Sequence, residues 1–417
     1  MHQFESGRRL SFDNMSSLSK ISSPRSIRAL TSLFVLFCSL HSFNTSGGEL
    51  SYDAALNIGP EADTNTNRVP RLAVALDSGI TPSPTTGLLL RTMAELNSRY
   101  VTPKSYTTIG YEGGYKFFLA SSQRASNEHV HRLRVNALQR LGGEWELSEM
   151  ASYFDDFLKV STRDFRRGLI GFALRKWFTA SRGTNRARER SNVIADRFQI
   201  ALNPSLSALQ YKPADSFSFV APGAMLSFGY EHPIDGQSSL GLSLSTTSRY
   251  RIFRGEAFCE PGTCATGQKA SNRQDFNSLT RLAMSIDSDM MFSLWYGIEL
   301  NRSNSFGESY RRHIVGLDVT APITERFFFS GQAVYQLSAF SDTLFGQSIQ
   351  QLVVPVEQEN RSRLVVRLGY DWTNWLSASV WYSLFVNESG TTAQGQAIPG
   401  YFRQTLFTGL EFHHSSR

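Results

Sequence analysis

Strict alternation of apolar and polar side chains, repeated three times in roughly the last fifty residues, is the feature that most limits what this chain can fold into. From Leu364 onward, Leu364, Val366, Leu368, Tyr370 and Trp372 alternate with Arg363, Val365, Arg367, Gly369 and Asp371. After Thr373 and Asn374 the pattern restarts. Leu376, Ala378, Val380, Tyr382, Leu384 and Val386 then stand against Ser377, Ser379, Trp381, Ser383, Phe385 and Asn387. A third pass sets Phe402, Leu406, Leu410 and Phe412 against Arg403, Thr405, Gly409 and Glu411. Successive Cβ atoms of a strand point to opposite faces, so each pass is a strand with one apolar and one polar face. Strands of soluble sandwiches average about five or six residues, whereas about nine to eleven tilted residues cross a bilayer. The passes have the longer length, and the class they define is a transmembrane antiparallel up-and-down β-barrel.

Composition does not oppose this reading. Mean hydropathy is −0.25, below what a bundle of membrane helices shows. A barrel needs no more, because only alternate residues face lipid. The net charge of +6 is spread along the chain, with no basic patch interleaved with stacking aromatics, so nucleic acid is not an expected partner.

The N-terminus reads as an export signal. Arg25 and Arg28 precede an apolar run from Leu33 to Leu40, and small residues follow through Gly48. Met15 is a second candidate start, and Phe37 before Cys38 argues against lipidation. The expected division is a leader over 1–48, a barrel over 49–413 and a short polar tail over 414–417.

Alternation resumes at Leu50. Tyr52, Ala54, Leu56 and Ile58 oppose Asp53, Asn57 and Gly59, and Leu88, Leu90, Ala94, Leu96 and Tyr100 oppose Arg91, Glu95, Asn97 and Arg99. Ile109, Tyr111, Tyr115 and Phe117 oppose Glu112 and Lys116. Further strands are expected around 133–141, 170–174, 194–202, 224–230, 240–244, 282–286, 292–300, 315–321 and 327–339. Connections alternate in length, short at 287–290, 322–326 and 373–375 and long at 254–275, 341–360 and 388–400. The count is about sixteen strands, with about fourteen as the alternative. Residues 144–158 resist assignment, because Leu147, Met150, Phe154 and Phe157 recur at helical spacing. Making that segment a strand leaves 181–191 as a long connection on the short-turn side, and Pro204 then lies inside the next strand, where it donates no ladder bond.

The polar partners of the apolar positions form the inner face. They include Arg91, Arg99, Arg132, Arg134, Arg197, Arg249, Arg251, Arg281, Arg312, Arg363, Arg367 and Arg403, with Lys116. The inward acids counted the same way are fewer: Asp53, Glu95, Glu112, Asp287, Glu299, Asp318, Asp371 and Glu411. One reading makes these residues ladders of ion pairs that fill the barrel. The other makes them a positive lumen that concentrates anions, since guanidinium grips carboxylate and phosphate with two prongs.

Cys259 and Cys264 flank Glu-Pro-Gly-Thr in a long connection, and in an oxidising compartment such a pair is read as a local disulfide. No histidine stands near them to complete a metal site. No serine nucleophile motif, phosphate-binding glycine loop or zinc signature occurs. The sequence therefore assigns no catalytic residue, cofactor or metal, and His413 and His414 read as a solvated tail.

Arg361-Ser-Arg-Leu-Val-Val, Asn387-Glu-Ser389, Tyr401-Phe-Arg403 and Gly409-Leu-Glu-Phe412 resemble the final hairpins of bacterial β-barrel porins, some of which accompany exopolysaccharide export. Asp63-Thr-Asn65 resembles the Asp-x-Asn that closes the first strand in such barrels and in surface-lipoprotein assembly modifiers. The resemblance covers roughly seventy residues. It implies a home in the outer membrane of a Gram-negative bacterium, among lipid and lipopolysaccharide, and insertion by the barrel assembly machinery. That machinery reads a terminal aromatic, whereas here Phe412 is followed by His-His-Ser-Ser-Arg. The expected activity is a channel or export conduit for anionic solutes or acidic polysaccharide. A closed structural or adhesive barrel with partner-binding loops is the alternative, and an outer-membrane hydrolase comes third.

Overall fold

The computed structural model describes residues 48–65, 85–158, 165–180, 196–212, 215–234, 238–257, 271–305, 308–340, 362–387 and 401–416. Sixteen antiparallel strands close into one barrel in which each strand pairs with its neighbours in sequence and the last pairs with the first. They are β1 Glu49–Asp63, β2 Gly87–Val101, β3 Ser105–Phe118, β4 Glu128–Gly142, β5 Trp145–Leu158, β6 Phe165–Ala180, β7 Asp196–Tyr211 and β8 Phe219–Pro233, followed by β9 Ser239–Glu256, β10 Asn272–Asp287, β11 Met291–Ser303, β12 Tyr310–Pro322, β13 Phe327–Phe340, β14 Ser362–Thr373, β15 Leu376–Asn387 and β16 Tyr401–Ser416. The count of sixteen replaces the alternative of fourteen. Of the strands expected from sequence, only the start of the one near 194 falls outside the described residues, as do the leader, the 181–191 segment, Cys259 and Cys264.

Residues 144–158 are strand, and the hairpin before them shows why. Gly142, Gly143 and Glu144 take φ of 88°, 56° and 65°. Positive φ at the two central positions of a tight turn matches the twist of antiparallel strands, so the chain reverses and β5 must pair with β4 whatever its apolar spacing. Pro204 is accommodated in β7 at a local cost. The β6–β7 ladder pairs Gly171 with Ser205 and Leu174 with Leu202, and no paired residues stand between them. At the other end of the chain β16 continues through Ser416, which pairs with Tyr52, so His413 and His414 belong to the wall rather than to a solvated tail.

Facing residues of paired strands share a side, so one assignment fixes the whole wall. The outer face carries the apolar set: Leu56 opposite Ala94 and Phe412, Leu174 opposite Leu202, Leu244 opposite Leu282, and Leu368 opposite Val380. Leu282 is 57% exposed and Leu202 53%, a degree of apolar exposure all round a protein that water would not tolerate. Aromatic residues flank this band. Trp145, Phe178, Phe198, Trp372 and Trp375 lie toward the short-turn end and Phe276 and Phe402 toward the long-loop end, forming the interfacial girdles of a membrane barrel. Polar groups on the outer face meet partners across the strands. Tyr111 Oη lies 2.9 Å from His131 Nδ1, Tyr296 Oη 2.6 Å from His313 Nδ1, and Thr246 Oγ1 3.1 Å from Thr280 Oγ1. Such pairing is what hydrocarbon demands of any polar group it surrounds.

The facing assignment predicts that Leu368→Arg and Val380→Arg each impair barrel insertion. An arginine near the bilayer midplane costs roughly 2 to 4 kcal/mol. Arg367→Leu, on the neighbouring inner position, leaves a heat-modifiable barrel. Electrophoretic migration of unboiled samples reads the outcome, and the opposite ranking would invert the faces.

Candidate functional site: the inner face of the barrel

The ladder register places Arg91, Arg99, Arg132, Arg134, Arg197, Arg249, Arg251, Arg281, Arg312, Arg363, Arg367 and Arg403 on the inner face. It also places there acids that the sequence pattern missed: Glu61, Asp63, Glu128, Glu146, Asp156, Glu231 and Asp275. With Arg140, Arg167 and Arg175 added to the bases, the inner charges come close to balance. The general positive excess expected from sequence is therefore corrected. Most of the missed acids sit at strand ends, beyond the reach of the apolar alternation that marks the bilayer.

The charges are unevenly distributed around the wall. On β2 to β9 the arginines outnumber the acids, with Arg99, Arg140, Arg175 and Arg197 against Glu95, Glu146 and Glu231 toward the short turns and Arg132 and Arg134 about Glu112 nearer mid-strand. From β10 through β16 to β1 the acids prevail, with Asp53, Asp287, Asp318, Asp371 and Glu411 in the same region. Local pairs temper this. Glu112 takes Arg132 at 3.1 Å and also Arg134, Glu146 takes Arg175 at 3.3 Å and the Trp177 indole at 2.9 Å, and Glu231 stands 3.8 Å from Arg197.

Burial divides the lumen along its length. In the long-loop half, inner-face residues are buried on β1 to β13 and on β16, among them Glu61, Leu89, Phe118, Glu128, Asp156, Leu209, Ala221, Asp275, Glu299, Arg312 and Phe407. On β14 and β15 the inner residues there, Arg363 and Phe385, stay half-buried. In the short-turn half Arg99, Arg134, Asn136, Arg140, Met150 and Thr179 are exposed. Inner side chains are thus more covered toward the long loops than toward the short turns, except on β15, where Ser377 and Ser379 near the short turn are buried.

Two kinds of packing fill the upper half. On β6 to β9, Phe165, Leu209, Tyr211, Phe219, Ala221 and Phe253 form a buried cluster with Phe154 and Phe217 against it. The Arg273 guanidinium lies 4.3 Å from the Phe253 ring centre and binds Asp275 at 2.7 Å and Glu308 at 3.0 Å. Burial pushes the Glu308 carboxyl, in the β11–β12 connection, above its ordinary range despite the pull of Arg273. Sequence reasoning missed this cluster because apolar residues on the inner face break the apolar-out rule by which faces were assigned.

The second kind lies at the seam where β16 meets β1. Arg403 Nε donates to both carboxylate oxygens of Asp63 at 3.0 Å, and its Nη2 reaches Oδ2 at 2.5 Å. Asn65 N donates to Asp63 Oδ1 at 2.9 Å, and Asn65 Nδ2 to the Phe402 carbonyl at 3.1 Å. The Asp63-Thr-Asn65 signature is therefore a clamp that fastens the end of β1 to β16. Below it, Glu61 is held by Arg91 at 2.9 Å and Lys116 at 3.2 Å. Arg91 lies 5.1 Å from the Trp381 ring centre and 5.4 Å from that of Phe407, while Arg367 lies 4.8 Å from Trp381 and 5.1 Å from Phe328. Arg367 Nη2 also donates to Glu411 at 2.7 Å.

One grouping invites comparison with hydrolases. His413 Nε2 lies 3.1 Å from Ser377 Oγ and 3.4 Å from Glu411 Oε1. A catalytic triad needs the acid on the other ring nitrogen, where it orients the imidazole. Here both partners meet the same nitrogen, and the grouping is a structural contact. Among the described residues no group of three or more His, Cys, Asp or Glu is placed to hold a metal.

No family model and no curated protein matches the chain. Solved structures that it resembles include the toluene transporter TbuX of Ralstonia pickettii, at 8% identity over 88% of this chain and 90% of that one, TM-score 0.33. OprD of Pseudomonas aeruginosa has 8% identity over 88% and 96%, TM-score 0.36. The siderophore receptor PirA of Pseudomonas aeruginosa has 8% identity over 89% and 80%, TM-score 0.32. Similarity at this level leaves function to be argued from this chain's own residues.

The seam clamp makes a quantitative prediction. Arg403→Ala strands Asp63, which is 1% exposed, and breaking such a pair costs about 3 to 5 kcal/mol. Arg134→Ala, at a side chain 47% exposed, costs less than about 1 kcal/mol. Urea unfolding of the barrel from lipid vesicles measures both, and equal losses would contradict the clamp.

Proposed function

We propose that the protein is a channel in the outer membrane of a Gram-negative bacterium that passes small polar solutes and favours anions along one wall. The observation that supports this most is the arginine surplus on β2 to β9, facing a short-turn half in which Arg99, Arg134 and Arg140 are exposed. A barrel of this strand number encloses more space than its own side chains need fill, so an aqueous path is the ordinary outcome. The filled long-loop half favours small solutes over a polysaccharide chain, which needs a continuous bore. A closed barrel whose loops bind a partner draws support from that same filled half. Ion conduction separates the two readings.

In planar bilayers the protein is expected to conduct, with a reversal potential in a salt gradient displaced toward anions. The displacement grows as salt falls, because the Debye length rises from about 10 Å at 0.1 M to about 30 Å at 0.01 M. Arg99 and Arg363 make no ion pair among the described residues, so Arg99→Gln combined with Arg363→Gln shifts the potential toward cations. Arg367→Gln or Arg403→Gln, which each leave a carboxylate behind, perturb the barrel as well. Absence of conductance favours the closed barrel. Conduction with an unchanged potential in the double variant would show these arginines to be structural.

A further inference from the structure

On the inner face of β14 and β15 several hydrogen-bond donors lie buried with no acceptor among the described residues. Trp381 Nε1, Ser379 Oγ, Arg367 Nε and Arg363 Nε each lack a partner among the described residues. The register sets three of them side by side, with Arg367 opposite Trp381 and Gly369 opposite Ser379, while Arg363 stands four residues along the same face of β14. Native proteins leave few buried polar groups unpaired, because each costs about 1 to 3 kcal/mol. A concentration of them on adjoining strands marks a place built to receive something.

All four groups can donate, and two belong to guanidinium ions, so what they lack is an acceptor that carries negative charge. Glu411 does not supply it. That carboxylate takes Arg367 through Nη2, and also meets Asn57 at 3.3 Å and His413 at 3.4 Å, which leaves the Arg367 Nε edge unsatisfied. The Trp381 ring is meanwhile held by cations, with Arg91 and Arg367 each about 5 Å from its centre. Such contacts fix the indole and therefore the direction of its N–H. The surroundings suit an oxyanion: preset donors, the guanidinium groups of Arg91 and Arg367 against the indole, and little water to compete.

We propose that Arg367, Ser379 and Trp381, with Arg363 farther along the same face, form a binding station for the oxyanion of a small solute, a carboxylate or phosphate group, on the β14–β15 wall. The station rests on the channel reading and adds a saturable step to it. A solute anion pauses at these donors and moves on because Arg367 is already shared with Glu411, which keeps the hold weak enough to release.

The test is calorimetric titration of the folded full-length barrel in detergent with succinate, acetate and inorganic phosphate, using glucose and choline as controls. Saturable binding of succinate or phosphate, with none of glucose or choline, is expected, and the ranking among the three anions says whether carboxylate or phosphate is preferred. Ser379→Ala and Trp381→Phe, which leave every charge in place, are each expected to weaken binding roughly tenfold, as loss of one hydrogen bond to a charged group does. Arg363→Gln is expected to do at least as much. Heat-modifiable migration confirms the fold of each variant, and should one fail to fold, the wild-type titration still decides. No anion binding by the wild-type barrel overturns the station, as does binding that Ser379→Ala and Trp381→Phe both leave unchanged. Anion-selective conduction without saturable binding would sink the station and leave the channel standing, whereas absence of conduction would remove the channel itself.

Discussion

Everything in this barrel depends on the pairing of its last strand with its first. An open sheet in a bilayer would present a row of unsatisfied backbone groups at each edge, so closure is a condition for being in the membrane at all. The chain secures it in two ways. Near the middle of the seam, a side chain on Gly59 would collide with the backbone of Thr408 and Gly409, so the strands approach there as only glycine permits. At the long-loop end the Asp63 carboxylate, the Asn65 amide and the Arg403 guanidinium lock the two chain ends together over 340 residues of sequence. Thr64 adds a backbone bond to the Gln404 carbonyl at 3.0 Å.

The sequence was most informative where the bilayer imposes its rule and least where it does not. Period-two alternation located the strands because lipid and lumen sort every residue between them, and it placed Arg91 and Arg367 on the inner face without any structure. Outside the hydrocarbon the rule lapses. Outward residues such as Arg254, Arg302 and Arg311 are polar there, the alternation fades, and the strands run on unseen. Glu61, Asp63, Glu128 and Asp275 occupy those hidden extensions, which is why the lumen looked more positive than it is. Ion pairing was illegible for another reason. Arg91 and Glu61 are neighbours only because β1 and β2 pair in one register, and alternation fixes facing without fixing register.

The inner face departs from a uniformly wet pore in a way that bears on what it can pass. Aromatic packing on β6 to β9 and the ion-paired seam on β16, β1 and β2 fill the long-loop half from two sides. The unpaired donors lie on the β14–β15 wall, where Ser379 is buried and Arg363 half-buried. The short-turn half remains open, with its arginines and carboxylates on different arcs of the circumference.

This division can be read directly by substituted-cysteine labelling with a water-soluble maleimide, in vesicle-inserted barrels with Cys259 and Cys264 changed to serine. Positions 363 to 372 along β14, apart from the buried Gly369, are predicted to label with period two, strongly at odd positions and weakly at even ones. Along β4 the inner positions 134, 136 and 140 should label faster than 128. Uniform labelling along β14, or equal rates at 128 and 140 on β4, would contradict a lumen that is polar within, lipid-sealed without and filled at one end.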